Sequence, residues 1–338
     1  MKTDSGIIGQ SLDRAKEALD SGKLVAIPTE TVYGLAANAL NPNAVARIFE
    51  AKRRPSFDPL IVHIPDASHL DRYTQDIPEK ARALANALWP GPLTMVLPKK
   101  PIIPDLVTSG LPTVAVRSPR HPLSQKLLRQ LDFPLSAPSA NPFGYLSPTQ
   151  PEHVADQLGS EVAYILDGGP CEVGLESTIV SFENPGKIEM LRAGGYPREE
   201  IEDLLNTHLA VRTHSTSNPS APGMLAQHYS PHTPLMVVPI GSDTGQNPLS
   251  LDSDRSLHPE QTKIAYISLM PLKEKPVWAT DHFAWTESGN LRQAATRLFA
   301  LLRTLDRSNY DLIVAEQVPN QGLGPAINDR LARAAARS

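Results

Sequence analysis

A single cysteine, Cys171, stands in a chain of 338 residues. One thiol cannot close an internal disulfide or build a thiolate metal cage. No basic or histidine residue lies beside Cys171 in sequence, so it reads as a small, partly buried residue and not a reactive thiolate. Basic excess is missing too. Lys and Arg number 32 against 36 Asp and Glu, which gives a formal charge of −4 and a pI near 6.2. That excludes a broadly cationic surface for nucleic acid or membrane, while leaving room for local basic clusters. No apolar run is long enough to cross a bilayer, and the opening Met1-Lys2-Thr3-Asp4-Ser5 carries no apolar signal segment. A cytoplasmic protein is the expectation.

Several catalytic signatures are absent as well. Without a Walker A sequence, any ATP is not held by a P-loop. The lack of a G-x-S-x-G elbow lowers a serine hydrolase. His228 and His232 are four apart, but Pro231 between them breaks the helix that would align them on a metal. Gly322-Leu323-Gly324 lacks the third glycine of a dinucleotide fingerprint.

What is present is a core-forming α/β pattern. Hydrophobic residues make up 41%, enough for a sizeable core, and the 33 prolines punctuate element ends. Ser11 caps a first helix, and the strand Lys23–Ile27 follows. Asn41-Pro42 opens a second helix with Val45, Ile48 and Phe49 as its buried stripe. Strands at 60–64, 93–97, 113–117, 134–137, 163–166, 177–182 and 187–191 alternate irregularly with helices at 78–89, 121–131 and 151–158, and a last helix begins at Pro197. Such a mixture predicts an α/β sheet that is not simply doubly wound. Composition shifts near Val211. Residues 212–234 are rich in Ser, Pro, Thr and His and read as a linker, although Ala226-Gln227-His228-Tyr229-Ser230-Pro231 is too specific for a mere spacer. Beyond it, strands at 235–240, 263–268 and 312–315 with helices at 291–305 and 326–336 predict a small parallel-sheet domain. The predicted division is therefore 1–211, a linker at 212–234, and 235–338. The loop 241–261 is polar and reads as mobile.

The chemistry concentrates at element ends. Pro28-Thr29-Glu30-Thr31-Val32-Tyr33-Gly34-Leu35-Ala36 follows an apolar strand and opens into hydroxyls, a carboxylate and a glycine. Ligands of open α/β sheets bind beyond the carboxyl ends of strands, so this stretch is expected to wall a small-molecule site. Lys52-Arg53-Arg54-Pro55 places three cations at a helix C-terminus, where a solvated face favoured by the helix dipole competes with an anion site. Thr113-Val114-Ala115-Val116-Arg117 is an alternating strand that ends in a guanidinium suited to carboxylate or phosphate. His63 interrupts an apolar strand, as a hydrogen-bonded core histidine would. Ser136-Ala137-Pro138-Ser139-Ala140-Asn141 packs small and hydroxyl residues between a strand and a turn. Glu176-Ser177-Thr178 and Arg192-Ala193-Gly194-Gly195 repeat the theme. Ser or Thr with Arg or Lys at strand ends suits an anionic ligand such as a nucleotide.

Taken together, these segments resemble the YrdC/YwlC family of threonylcarbamoyl-AMP synthases in its long two-domain form. The matching residues are Pro28 to Leu35, Lys52 to Pro55 with Pro59 to His63, Pro90 to Thr94, Val116-Arg117 with Pro119, Ser139 to Asn141, Ser177 to Val180 and Arg192 to Gly194. His228 to Pro231 in the linker matches too, as do Gly322 to Gly324 and Ala326 to Leu331. The resemblance implies an open twisted mixed sheet with a concave basic cleft, plus a small Rossmann-like C-terminal domain. The implied reaction joins L-threonine, bicarbonate and ATP, with Mg2+, into threonylcarbamoyl-AMP and pyrophosphate. A separate transferase system would pass the group to the tRNA adenosine beside the anticodon, and tRNA itself would be bound weakly at most.

Carried over by position, Thr31, His63, Arg117, Ala137 and Ser177 would hold threonine. Lys52, Arg54, Asp58, Thr113, Ser139, Asn141, Ser147, Arg192 and Tyr229 would surround ATP, with Lys52 and Arg54 stabilising phosphate charge. Asp58 stands where the family often carries Asn, and a carboxylate beside polyphosphate needs magnesium or a cation. Tyr229 would make the linker a lid that excludes water. No residue needs to become covalently attached, and no resident metal site is implied. The competing class is a non-catalytic RNA- or nucleotide-binding module using the same basic cleft.

Overall fold

The computed structural model describes residues 7–183, 186–212, 229–241 and 262–336. Ala226, Gln227 and His228 of the linker motif and most of the expected mobile loop at 241–261 lie outside them. The described residues fall into two compact units. One holds the chain to Phe143 and from Ser147 to Arg212; the other joins Gly144–Leu146 to the chain from Tyr229 onward.

The first unit begins with β1 (Ile8–Gly9), α1 (Leu12–Asp20), β2 (Val25–Ile27), β3 (Gly34–Asn38) and α2 (Pro42–Lys52). It continues with β4 (Ile61–His63), α3 (Leu70–Tyr73), α4 (Glu79–Leu88), β5 (Leu93–Pro98), α5 (Asp105–Thr108), β6 (Thr113–Arg117), α6 (Pro122–Gln130) and β7 (Leu135–Ser136). α7 (Pro151–Leu158), β8 (Tyr164–Leu166), β9 (Thr178–Ser181), β10 (Glu189–Arg192), α8 (Arg198–Leu205) and β11 (Ala210–Val211) complete it. Local chemistry sets the helix ends. Ser11 accepts the Arg14 N–H at 3.2 Å, and Asn41 accepts those of Asn43 and Ala44 while Pro42 fills the first helical position.

Among the described residues the strands form one eleven-stranded mixed sheet, ordered β1-β8-β2-β3-β7-β4-β6-β5-β9-β10-β11. Side chains alternate across a strand, and here the two faces differ. Val62, Met95, Val114, Val116, Val180 and Met190 enter the main core. Their strand neighbours Ile61, Val96, Ala115, Ile179 and Leu191 form a separate small cluster on the opposite face. Polar residues in phase with that second set are Thr113 and Arg117 on β6, His63 on β4, Thr94 on β5 and Ser181 on β9. The central strands therefore present one oily face and one face that is apolar in its middle and polar around it.

The second unit contains β12 (Leu235–Val238), β13 (Ile264–Ser268), β14 (Asp281–Ala284), α9 (Leu291–Asp306), β15 (Leu312–Glu316) and α10 (Gly324–Ala335). Its four described strands run in the order β12-β15-β13-β14, each pair parallel. α9 buries Ala294, Ala295, Leu298, Phe299 and Leu302. The glycine of the Gly322-Leu323-Gly324 motif has a packing reason: a Cβ on Gly324 would sit 1.7 Å from the Pro319 carbonyl oxygen.

Candidate active site

Strand register builds a polar row. His63 of β4 pairs with Arg117 of β6, and Arg117 pairs on its other side with Thr94 of β5. Thr94 Oγ1 lies 2.7 Å from Ser177 Oγ, just ahead of β9. Arg192, the last residue of β10, closes the row from the far side. Its Nε donates to the Ser177 carbonyl at 3.1 Å and its Nη2 to Ser177 Oγ at 3.1 Å. The chain after β10 must come very near this point. A Cβ on Gly194 would meet Glu176 O at 2.4 Å and Thr178 N at 2.5 Å, so only glycine fits there.

Arg117 is not a solvated strand end. It is buried, and Nη2 donates to Glu30 Oε1 at 2.8 Å. Glu30 belongs to the loop between β2 and β3, beside Thr31, and both are buried. Thr31 Oγ1 lies 2.7 Å from Thr29 Oγ1, which in turn donates to the Val32 carbonyl at 2.6 Å. His63 is fully enclosed, with Nδ1 3.2 Å from the Ile61 carbonyl. Burial, then the adjacent Arg117 charge, push its imidazole down to about 3, so it is neutral near pH 7. Ala137 donates its N–H to the Ile61 carbonyl at 3.0 Å, which sets its small side chain by the same strand. Cys171 is buried, and burial followed by the Glu30 charge pushes its thiol far up, in line with an inert residue.

The basic run divides. Arg53 takes the left-handed conformation, φ 51° and ψ 40°, and ends α2. It points outward while Lys52 and Arg54 turn in. The solvated-face alternative thus fails for two of the three cations. Helix α2 ends at this cap, ahead of Pro55. Lys52 Nζ donates to the Ser139 carbonyl at 2.6 Å and also to the Asn141 carbonyl. An ammonium has three donors, so one is left for a ligand. Burial, and next the Arg54 charge, push Lys52 well down from its ordinary value. Arg54 donates to the Asp58 and Pro59 carbonyls at 3.0 and 2.9 Å, and its Nη2 lies 2.9 Å from Asp58 Oδ2. Burial pushes the Asp58 carboxyl up against the pull of Arg54, Lys52 and Arg192. Asp58 thus sits among three cations, whose pull burial outweighs.

The segment after β7 links the two groups. Lys52 holds it at Ser139 and Asn141, and Ser147 Oγ donates to Glu176 Oε1 at 2.6 Å, one residue before Ser177. Within the first unit a belt results: Lys52 with Ser139 and Asn141, Ser147 with Glu176-Ser177, Ser177 with Thr94 and Arg192, and Arg117 beside Thr94 with Glu30. Thr113 stands apart from the belt's bonds. It lies at the opposite end of β6 from Arg117, on the same face, and donates to Glu183 Oε1 at 3.1 Å. Tyr229 lies in the second unit, buried, with its ring 5.5 Å from that of Phe299 and the Arg330 guanidinium 5.2 Å from its centroid. Several of these residues stand at strand ends: His63, Arg117 and Arg192 close β4, β6 and β10, and Glu30 and Thr31 follow β2. Alternation puts Thr113, Ala115 and Arg117 on one side of β6 together. The structure adds Glu30, Thr94 and Glu176 as members. Glu30 and Glu176 stood in quoted stretches, but nothing local to them announces partners 87 and 29 residues away.

Comparison with known proteins gives the class. A Sua5/YciO/YrdC family model, described as "Telomere recombination", matches residues 17–194. A second, described as "Threonylcarbamoyl-AMP synthase, C-terminal domain", matches residues 196–336. The chain belongs to the Sua5/YrdC family of threonylcarbamoyl-AMP synthases. Within that family it has the long form with the additional C-terminal domain. It is 41% identical to the threonylcarbamoyl-AMP synthase of Pyrococcus abyssi over 93% of this chain and 90% of the relative. It is 40% identical to that of Bacillus subtilis over 95% and 92%. Among solved structures, Pyrococcus abyssi Sua5 complexed with L-threonine superposes with a TM-score of 0.85 at 37% identity, covering 97% of each chain. A doubly substituted Pyrococcus abyssi Sua5 superposes at 0.87 and 38% identity, covering 97% of this chain and 95% of that one.

Proposed function

We propose that this chain is a nucleotidyltransferase that makes L-threonylcarbamoyl-AMP from L-threonine, bicarbonate and ATP, releasing pyrophosphate, for threonylcarbamoylation of tRNA adenosine next to the anticodon. The observation that carries this reading is the belt itself. Groups assigned to threonine (Arg117, Ser177) and groups assigned to ATP (Lys52, Ser139, Asn141, Ser147, Arg192) are brought together by hydrogen bonds, strand pairing and the connecting chain, with His63 beside Arg117. An enzyme that joins two substrates needs their sites in register, and holding them so is itself a large part of catalysis.

In this reading Arg117 takes the threonine carboxylate with Nε, which lies buried without a hydrogen-bond partner among the described residues. Neutral His63, Thr31, Ala137 and Ser177 shape the rest of that subsite. Bicarbonate and the threonine amine form a carbamate, whose oxygen attacks the α-phosphate and expels pyrophosphate. Lys52 and Arg54 stabilise phosphate charge from fixed positions, with Asp58 beside them and Arg192, Ser139, Asn141, Ser147 and Thr113 as the other nucleotide candidates. Tyr229 remains a nucleotide candidate on resemblance.

Magnesium fits as a companion of ATP. Among the described residues no three His, Cys, Asp or Glu converge on one point. Mg2+ is commonly held by substrate phosphates, waters and one or two carboxylates, and Asp58 is the carboxylate within the cationic cluster. When bound, the ion would withdraw charge from the phosphates. The product is consumed by a downstream tRNA threonylcarbamoyl transferase system, and a cytoplasmic site of action follows from that role. No described helix is long and apolar enough to cross a membrane.

The test is pyrophosphate release from ATP with each substrate omitted in turn. Release that needs both threonine and bicarbonate supports the reading. None with all substrates present would leave the binding-module alternative.

A further inference from the structure

Glu30 and Arg117 form an ion pair whose side chains are only 2% and 5% exposed. Glu30 is held through both carboxylate oxygens and its carbonyl. One carboxylate oxygen takes the guanidinium, the other accepts the Arg120 N–H at 2.9 Å, and its carbonyl accepts the Val173 N–H at 2.8 Å. Burying such a pair contributes little net stability in general, so stability alone is a weak reason for it. Its electrostatic effect is specific, however. Arg117 is flanked across strands by neutral His63 and by Thr94. The Glu30–Arg117 pair itself carries no net charge yet keeps a guanidinium donor, Nε, unengaged among the described residues.

We propose that Glu30 is a specificity-determining positioning residue that reserves Arg117 for an amino-acid carboxylate and refuses phosphate. The proposal rests on the assignment of Arg117 to threonine made above. An arginine fork binds phosphate as readily as carboxylate, and this enzyme works among ATP and pyrophosphate. A zwitterionic amino acid has no net charge and meets the Glu30–Arg117 pair without net repulsion. A multiply charged phosphate meets the Glu30 carboxylate beside the same donors and is repelled. Glu30 also fixes the guanidinium plane, so the carboxylate is received in one orientation.

The test is calorimetric titration of L-threonine into the full chain, with and without inorganic phosphate or pyrophosphate. In the wild type, threonine affinity should not respond to phosphate beyond an ionic-strength control. Glu30→Gln keeps the side chain's shape and removes its charge. It should weaken threonine binding about tenfold, the cost of one degraded charge-assisted contact, and make phosphate competitive with threonine. Glu30→Asp withdraws the carboxylate by one methylene but keeps its charge. It should weaken threonine binding without admitting phosphate, and it decides the matter if Glu30→Gln does not fold. Weakened threonine binding with no phosphate competition in Glu30→Gln would mean a merely structural role and overturn the proposal. So would phosphate competition in Glu30→Asp or in the wild type. A wild type that binds no threonine would overturn the site assignment and the proposal with it, whereas failure of Glu30→Gln alone leaves that assignment standing.

Discussion

His63 shows how one residue's environment sets its chemistry. A buried imidazole beside a guanidinium is pushed from 6.5 down to about 3. Folding therefore releases a proton from His63 at any pH between those values. The unfolded chain binds more protons in that window, so stability falls as pH drops from about 6.5 toward 3, by up to about 1.4 kcal/mol per unit from this group. Thermal melting across pH 4 to 7 should show that slope, and His63→Gln should flatten it. An unchanged slope would mean His63 is protonated in the folded state. Arg117 supplies the matching kinetic prediction. Arg117→Ala should raise KM for threonine by about tenfold or more and leave KM for ATP within a factor of about two; equal effects on both would remove its assigned role. At this scale the sequence was only partly legible. The bland option for His63, a hydrogen-bonded core residue, holds together with its place in the row. The partner of Arg117, in contrast, was out of reach, since pairing across 87 residues leaves no local pattern.

Helix α2 ends because Arg53 adopts a left-handed conformation, not because Pro55 halts it. A non-glycine residue pays roughly 1 kcal/mol or more for that geometry, and it is what sends Lys52 and Arg54 inward on either side of an outward Arg53. Arg53→Val puts a β-branched side chain where it fits worst. It should destabilise the protein by about 1 to 2 kcal/mol and raise KM for ATP, although Arg53 itself is exposed. Arg53→Gly should keep both near wild type. A normal KM for Arg53→Val would show that the cap does not aim the cations. Some elements were readable because local signals agree: periodicity and the Asn41-Pro42 cap in α2, proline at the first helical turn in α7, and alternation in β6. The strand β3 hid inside a motif read as a wall, and β1 and β11 have two residues each, too few for any alternation. β14, Asp281–Ala284, is half-exposed and lacks the apolar signature of a buried parallel strand.

On the scale of the whole chain, Gly144–Leu146 pack with the second unit, although the sequence reading sets them inside the predicted first domain at 1–211. Gly-Tyr-Leu has no feature that sets it apart, and its partners lie some 157 to 161 residues away. Within the second unit the segment is well held. Arg303 of α9 donates to the Leu146 carbonyl at 2.9 Å and lies 5.4 Å from the centre of the Tyr145 ring. Tyr145 donates its hydroxyl to Asp306, whose other oxygen accepts the Thr233 N–H at 2.7 Å. Burial works to raise the Asp306 carboxyl, but the hydrogen bonds from Thr233, Tyr145 and His232 outweigh it and hold it low. Tyr145→Phe keeps the ring under Arg303 and removes one bond to an ionised carboxylate. It should therefore cost about 1 to 2 kcal/mol, seen as a lower denaturant midpoint at unchanged slope. The sign with pH follows from the depressed carboxyl: the stabilisation is complete above the ordinary Asp value near 3.8 and fades as acid protonates Asp306. The gap between Tyr145→Phe and wild type should accordingly be constant near neutrality and close only in stronger acid. A gap that is absent at pH 7, or that grows on acidification, would mean that the tyrosine hydroxyl does not hold this segment in the second unit.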